Sequence, residues 1–248
     1  MNIPVGLALY TLRNETAQDF TGTLERVAEV GYKGVEFAGY GNLSAAQMKS
    51  HLDRLGLAAV DSHVGLEKLQ NDTQAVIEYS LEIGSPYITM PWAYPKSRGE
   101  YLELAGILAR LGEKCMDKGI QLCYHNHAQE FQVFDGLTGM DIILGEVPSE
   151  LLKAEVDVFW VKHADADPAS FIKKYPGRCP LIHLKDMEDD ENKSFAEVGN
   201  GIIDFNAVIA AANEAGSRWF LVEQDDCKRP PLESVKISFE NLKKMGYV

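Results

Sequence analysis

The 248-residue chain lacks several things, and each absence narrows what it can be. No apolar run approaches the 18 residues that a bilayer-crossing helix needs, and the opening MNIPVGLALYTLRNE has no basic stretch ahead of an apolar one. Neither a membrane span nor a secretory leader is expected. The four cysteines, Cys115, Cys123, Cys179 and Cys227, form no CxxC pair and no zinc-ribbon spacing, so buried free thiols in a reducing cytoplasm are expected. Positive charge is scarce: 24 Lys and Arg stand against 37 Asp and Glu, a formal net charge of −13. That field opposes nucleic acid and anionic membranes as partners and suits a locally acidic, cation-binding site. No linker, low-complexity tract or charge block divides the chain, so residues 1–248 read as one domain.

What is present is a repeated unit. Phe20, Leu24, Val27 and Ala28 make one helical stripe that Gly31 ends, and the apolar run GVEF follows. Met48, Leu52 and Leu55 repeat it before Gly56 and LAAVDSH; residues 73–83 repeat it before Gly84 and PYITM. Leu104, Leu108, Leu111 and Cys115 precede Gly119 and IQLCYHNH, and residues 207–215 precede Gly216 and RWFLVEQ. Each glycine stands where a helix end wants a left-handed residue, and each run is short and apolar nearly throughout, as a strand covered on both faces requires. With the weaker units, eight strands are predicted near 3–9, 34–38, 58–63, 86–91, 121–126, 153–159, 180–185 and 218–224, each followed by a helix. A doubly wound sheet would need a glycine-rich phosphate turn after its first strand, and the turn here is YTLRNET. The chain therefore reads as a single-domain α/β protein, a (βα)8 TIM barrel.

In such a barrel, chemistry sits at the C-terminal strand ends. There stand Glu36, His63, the run Tyr124-His125-Asn126-His127 with Glu130 beyond it, Glu155 and Asp157 ahead of Trp160 and His163, His183 with Lys185 and Asp186, and Glu223 with Asp225. One carboxylate or imidazole from each of strands five to eight converges near the axis, a thiolate-free set suited to Mn²⁺, Mg²⁺, Co²⁺ or Zn²⁺. Asp165, Asp225, Asp226 and residues 188–191 read as solvated loop charges, Asp204 as a helix cap, His51 as a surface residue, and Met90 and Cys123 as core. For Lys185 a rim charge paired with Asp186 competes with a role at the substrate. The turn Gly199-Asn200-Gly201 lies where barrels often grip phosphate, but without an adjacent arginine it reads as a turn that positions the next helix.

The segments GYKGVEF (31–37), DSHV (61–64), YHNHAQEF (124–131), EVDVFWV (155–161), LIHLKDM (181–187), VGNGIIDF (198–205) and VEQD (222–225) together resemble the sugar phosphate isomerase/epimerase family, the xylose isomerase-like barrels that include the endonuclease IV relatives. The resemblance implies one divalent metal held by Glu, Asp, His and Glu from strands five to eight. The last three match Asp157, His183 and Glu223; the first position is His125, so either His125 or Glu130 would complete the set. It implies an isomerase or epimerase acting on a keto sugar or polyol through an enediolate, with Glu223, His125 or Glu130 as base and His127 or His63 as partner acid. Glu36, His63, Trp160 and Lys185 would bind substrate. The HNH run is similar to a branch acting on 3-keto sugars, keto-inositols or their glycosides, so a lyase, dehydratase or hydrolase stays open. So do an endonuclease IV-like repair enzyme, against which the net charge weighs, and a sugar-binding barrel without catalysis. Oligomeric state is open, a homo-oligomer included.

Overall fold

The short apolar runs become parallel strands because both their faces are covered. In the computed structural model, which describes residues 3–248, these are β1 (Val5–Ala8), β2 (Gly34–Phe37), β3 (Ala58–Ser62), β4 (Tyr87–Met90), β5 (Gln121–His125), β6 (Leu152–Asp157), β7 (Leu181–Leu184) and β8 (Trp219–Val222). Each pairs in parallel with its neighbour from β4 through β8 to β1, β2 and β3. The remaining seam, β3 to β4, is held by the bridge between His63 and Thr89, with the Val64 amide donating to the Thr89 carbonyl at 2.9 Å. The expected barrel is therefore present, nearly closed.

The intervening helices bury the stripes read from the sequence. Leu24 and Val27, Met48 and Leu52, and Leu104, Leu108, Leu111 and Cys115 are all buried. Gly31, Gly56, Gly84 and Gly216 each follow a helix at positive φ. The long helix Arg98–Met116 stops earlier than expected, three residues before Gly119. The sixth strand is also shorter than the predicted 153–159. Its last residue, Asp157, accepts a hydrogen bond from the Trp160 amide at 3.1 Å and so starts the helix Val158–His163 directly. Asp204 caps the helix Phe205–Ala215, as expected. Among the described residues no helix is long and apolar enough to cross a membrane.

Inside the barrel, Val60, Cys123, Leu181 and Leu221 form an apolar plug. The plug leaves little room on the neighbouring strand: a Cβ at Gly34 would stand 2.6 Å from a Val60 methyl. Side chains alternate along a strand, so the residue two positions on points to the same interior one level higher. From Gly34, Cys123, Leu181 and Leu221 that step reaches Glu36, His125, His183 and Glu223.

After β7 the chain makes a short antiparallel pair, Asp186–Met187 with Phe195–Ala196, and returns through the glycine turn. Asp186 is fully buried and accepts four amide hydrogen bonds, from Met187, Gly199, Gly201 and Ile203, at 2.8 to 3.2 Å. It does not pair with Lys185. Replacing Asp186 with Ala strands two buried donors, the Met187 and Ile203 amides, and two partly buried ones, and should cost about 3 kcal/mol in urea unfolding. An unchanged midpoint would show the turn is held by other means.

Candidate active site

Above the plug lies a buried layer in which Glu155 is the hub. His63 Nε2 lies 2.6 Å from Glu155 Oε2, His125 Nδ1 lies 3.0 Å from the same oxygen, and His183 Nε2 lies 3.3 Å from Oε1. Glu36 faces two of these rings, with Oε1 3.2 Å from His63 Nε2 and Oε2 3.0 Å from His183 Nε2. Asp61 joins from β3; it is fully buried, and neither carboxylate oxygen has a hydrogen-bond partner among the described residues. Burial, and then the nearby charge of Glu155, pushes Asp61 up to about 7. Burial drives His63 down, but Glu36 and Glu155 outweigh it and raise it to about 10. His183 is likewise raised, by Glu155, Glu36 and Glu223 against its burial.

One level higher, Lys185 is enclosed, with 1% of its side chain exposed. Its ammonium donates to Asp157 Oδ2 at 3.1 Å and Glu223 Oε2 at 2.9 Å, and it lies 2.6 Å from Asp225 Oδ1. Three donors meet three carboxylates, and these outweigh burial to hold Lys185 charged well above its usual range. Burial pushes Asp157 up to about 6. Glu223 is also raised by burial, but Lys185 and His183 bring it well below the ordinary carboxylate range. The His183 ring stands between the levels, with Nδ1 3.0 Å from Glu223 Oε2 and Nε2 facing Glu36 and Glu155.

A cavity of about 360 Å³ opens over this upper level. Its floor includes His63, His125, His127, Lys185, Glu223 and Asp225, and Tyr10 and Trp92 stand at its sides, both substantially exposed. Burial and the neighbouring Lys185 lower His127 to about 4, and its buried Nδ1 has no partner among the described residues.

The structure brings Asp157, His183, Glu223, His125, His63, Lys185 and His127 together. It places others differently. Glu130 is buried outside the cluster, accepting from the Tyr124 hydroxyl and the His127 amide at 2.7 Å each, so it supports the HNH turn instead of reaching the ligand set. Glu36 lies beneath the cavity against His63 and His183, not in its wall. Trp160 packs against His127 but lines an adjacent cavity with Phe159, His163 and Phe195. Asp225, read as a solvated charge, is an ion-pair partner of Lys185 and only 27% exposed. Asp61 and the central place of Glu155 were missed; strand alternation, applied to Glu155 and Asp157 as successive levels, would have found the second.

The chain belongs to the xylose isomerase-like TIM barrel family, whose profile matches residues 24–245. It is 22% identical to the rhizopine catabolism protein MocC of Rhizobium meliloti over 99% of this chain and 89% of that one. It is 28% identical to an inosose dehydratase of Lacticaseibacillus casei over 54% of this chain; the match spans 51% of that relative, so the chain aligns with about half the length of the first curated relatives. A sugar phosphate isomerase/epimerase structure from Parabacteroides distasonis superposes with a TM-score of 0.86 at 24% identity, covering all of this chain and 96% of that one.

Three groups of donors could hold the cation that the family resemblance implies, one of them Glu36, Asp61, His63 and Glu155. His125, Asp157, His183 and Glu223 offer ligand atoms within 4.8 Å of one another, as do His63, His125, Glu155 and His183. The donor chemistry fits a divalent ion in each case.

Burial raises Glu130 to about 7. The folded chain therefore keeps a proton that the unfolded chain releases near pH 4.3, and stability falls as pH rises from about 4 to 7. Glu130→Gln has no such proton to lose. Its Tm should match wild type near pH 4 and exceed it by a few degrees at pH 8. A constant difference across that range would contradict the assignment.

Proposed function

We propose that this protein is a divalent-cation-dependent enzyme that removes a proton from the carbon beside the carbonyl of a keto sugar or keto-polyol, as an isomerase or epimerase. The observation that carries this reading is the cavity floor, where an enclosed ammonium and ionised carboxylates lie beside His127, itself lowered to about 4. A bound cation would supply electrophilic charge to the substrate oxygens.

The remaining work falls to the chain. Lys185 Nζ is fixed by three carboxylates, with all its donors engaged, and its charge keeps Glu223 ionised and holds the carboxylates in place at the cavity floor. Glu223 and Asp225 offer carboxylate oxygens to the cavity as proton acceptors. Burial raises Asp225 above its ordinary value despite Lys185, which makes it the more basic of the two. His127, a neutral ring with an unpartnered Nδ1, would act as the partner donor and acceptor of that proton. Tyr10 and Trp92 supply apolar faces to the C–H groups of a sugar ring.

A second reading, dehydration of an inosose, has a specific observation behind it. Two-faced epimerisation uses carboxylates on opposite sides of one carbon, and His125 stands where the first would be. A single acidic face suits abstraction followed by loss of a neighbouring hydroxyl, and the similarity to inosose dehydratases supports that course.

The test is turnover of keto sugars and inososes in D₂O with added Mn²⁺. Solvent deuterium should enter beside the carbonyl, or substrate deuterated there should react more slowly; turnover with neither would overturn the proposal. Lys185→Met should lower kcat by about 10²-fold or more, since it removes the fixed positive charge. His183→Ala should weaken Mn²⁺ binding at least about tenfold by calorimetry, because His183 belongs to two of the three donor groups.

A further inference from the structure

We infer that the cation sits one level below the position the family pattern assigns, held by His63, His125, His183 and Glu155 with Glu36 beside them, and that the Lys185 ammonium fills the upper position between Asp157 and Glu223. This rests on the cation-dependent reading above and names the site of that cation.

The argument is one of donors and acceptors. In the upper level the oxygens that face the cluster are Asp157 Oδ2 and Glu223 Oε2, and Lys185 already binds both. A metal there would compete with a buried ammonium for the same two atoms. The upper level therefore has its cation.

The lower level does not. His63 Nε2 and His183 Nε2 each face two carboxylates, Glu36 and Glu155, although a ring nitrogen carries at most one proton. Glu155 Oε2 meets two imidazole nitrogens at once. Asp61, at the edge of this level, is wholly buried with both oxygens unpartnered among the described residues. Donor atoms around a metal with bonds near 2.1 Å are spaced about 3.0 Å apart in an octahedron and about 3.4 Å apart in a tetrahedron. The five nitrogen–oxygen separations here run from 2.6 to 3.3 Å and come from five different strands or strand ends. With Glu223 Oε2 3.0 Å from His183 Nδ1, the ring is oriented by a carboxylate on one side and offers Nε2 to the lower level on the other, the usual arrangement behind a metal-bound histidine.

The experiment strips the full-length protein with EDTA, reloads it with Mn²⁺ and measures stoichiometry by mass spectrometry and affinity by calorimetry. Wild type should bind one ion. His63→Gln and Glu36→Gln should each weaken Mn²⁺ at least tenfold, with circular dichroism unchanged, while Asp157→Asn should stay within about threefold of wild type. Pulsed EPR of the Mn²⁺-loaded wild type gives an answer that needs no variant: three imidazole nitrogens are expected, against two for the upper site. Loss of binding in Asp157→Asn with retention in His63→Gln, or a count of two nitrogens, overturns the lower site and leaves the cation-dependent function standing. A wild type that binds no Mn²⁺ overturns both.

Discussion

The structure depends on neutralising carboxylates gathered in a place that water barely reaches. Glu36, Asp61, Glu155, Asp157 and Glu223 are all buried at the upper end of the barrel, with Asp225 at its edge. Two like charges 4 Å apart repel by about 4 kcal/mol even at an effective dielectric constant of 20, so such a group persists only with positive charge or retained protons among its members. Lys185 supplies it to three of them. The imidazoles of His63, His125 and His183 face the others, and an imidazole can serve either by holding a proton or by sharing a cation. The apolar plug of Val60, Cys123, Leu181 and Leu221 closes the barrel beneath. It keeps solvent from relieving the charge from below, so the arrangement is fixed by the protein's own groups.

That stacking also explains what the sequence showed and what it hid. The barrel was legible because period-3.6 stripes, glycine stops and short apolar runs all agree, and Leu24, Met48 and Leu108 lie where the stripes put them. Asp157, His183 and Glu223 were legible because each stands at a strand end that the (βα)8 topology aims inward. The strand count alone could not assign levels. Along β6 a single step of two separates Glu155, which touches three imidazoles, from Asp157, which touches Lys185. Asp225 and Glu130 were misread for a different reason: both lie in connecting loops, whose path follows from no periodicity. Glu130 turns back to the Tyr124 hydroxyl, and Asp225 turns inward to an ammonium.

The loop after β7 shows the same economy of charge. Barrels commonly grip a phosphate with free backbone amides near this corner, and here the Gly199 and Gly201 amides are bonded to Asp186 instead. A Cβ at Gly201 would stand 2.1 Å from the Met187 carbonyl oxygen, so the glycine serves the close approach of two chain segments. An internal carboxylate thus occupies the anion-binding geometry. Whatever holds the substrate must come from the other side of the mouth, where the cavity offers Lys185 and exposed aromatic faces in place of a nest of amides.

His125 connects these features to the chemistry. The family resemblance implies a glutamate at this position, and a histidine there removes one negative charge from the upper level. The charge reappears one level down and one strand over, because His125 Nδ1 lies 3.0 Å from Glu155. The pair carries the negative charge that a glutamate would, shared between a ring nitrogen and a carboxylate that both face the lower level. It cannot stand in as a second carboxylate base, since Glu155 is wholly enclosed. In the proposed reaction, proton abstraction would then fall to the Glu223 and Asp225 side of the cavity. A one-sided site can enolise a ketone and expel a neighbouring group, but returning the proton from the opposite face requires another donor, and His127 is the remaining ring on the cavity floor with an unpartnered nitrogen.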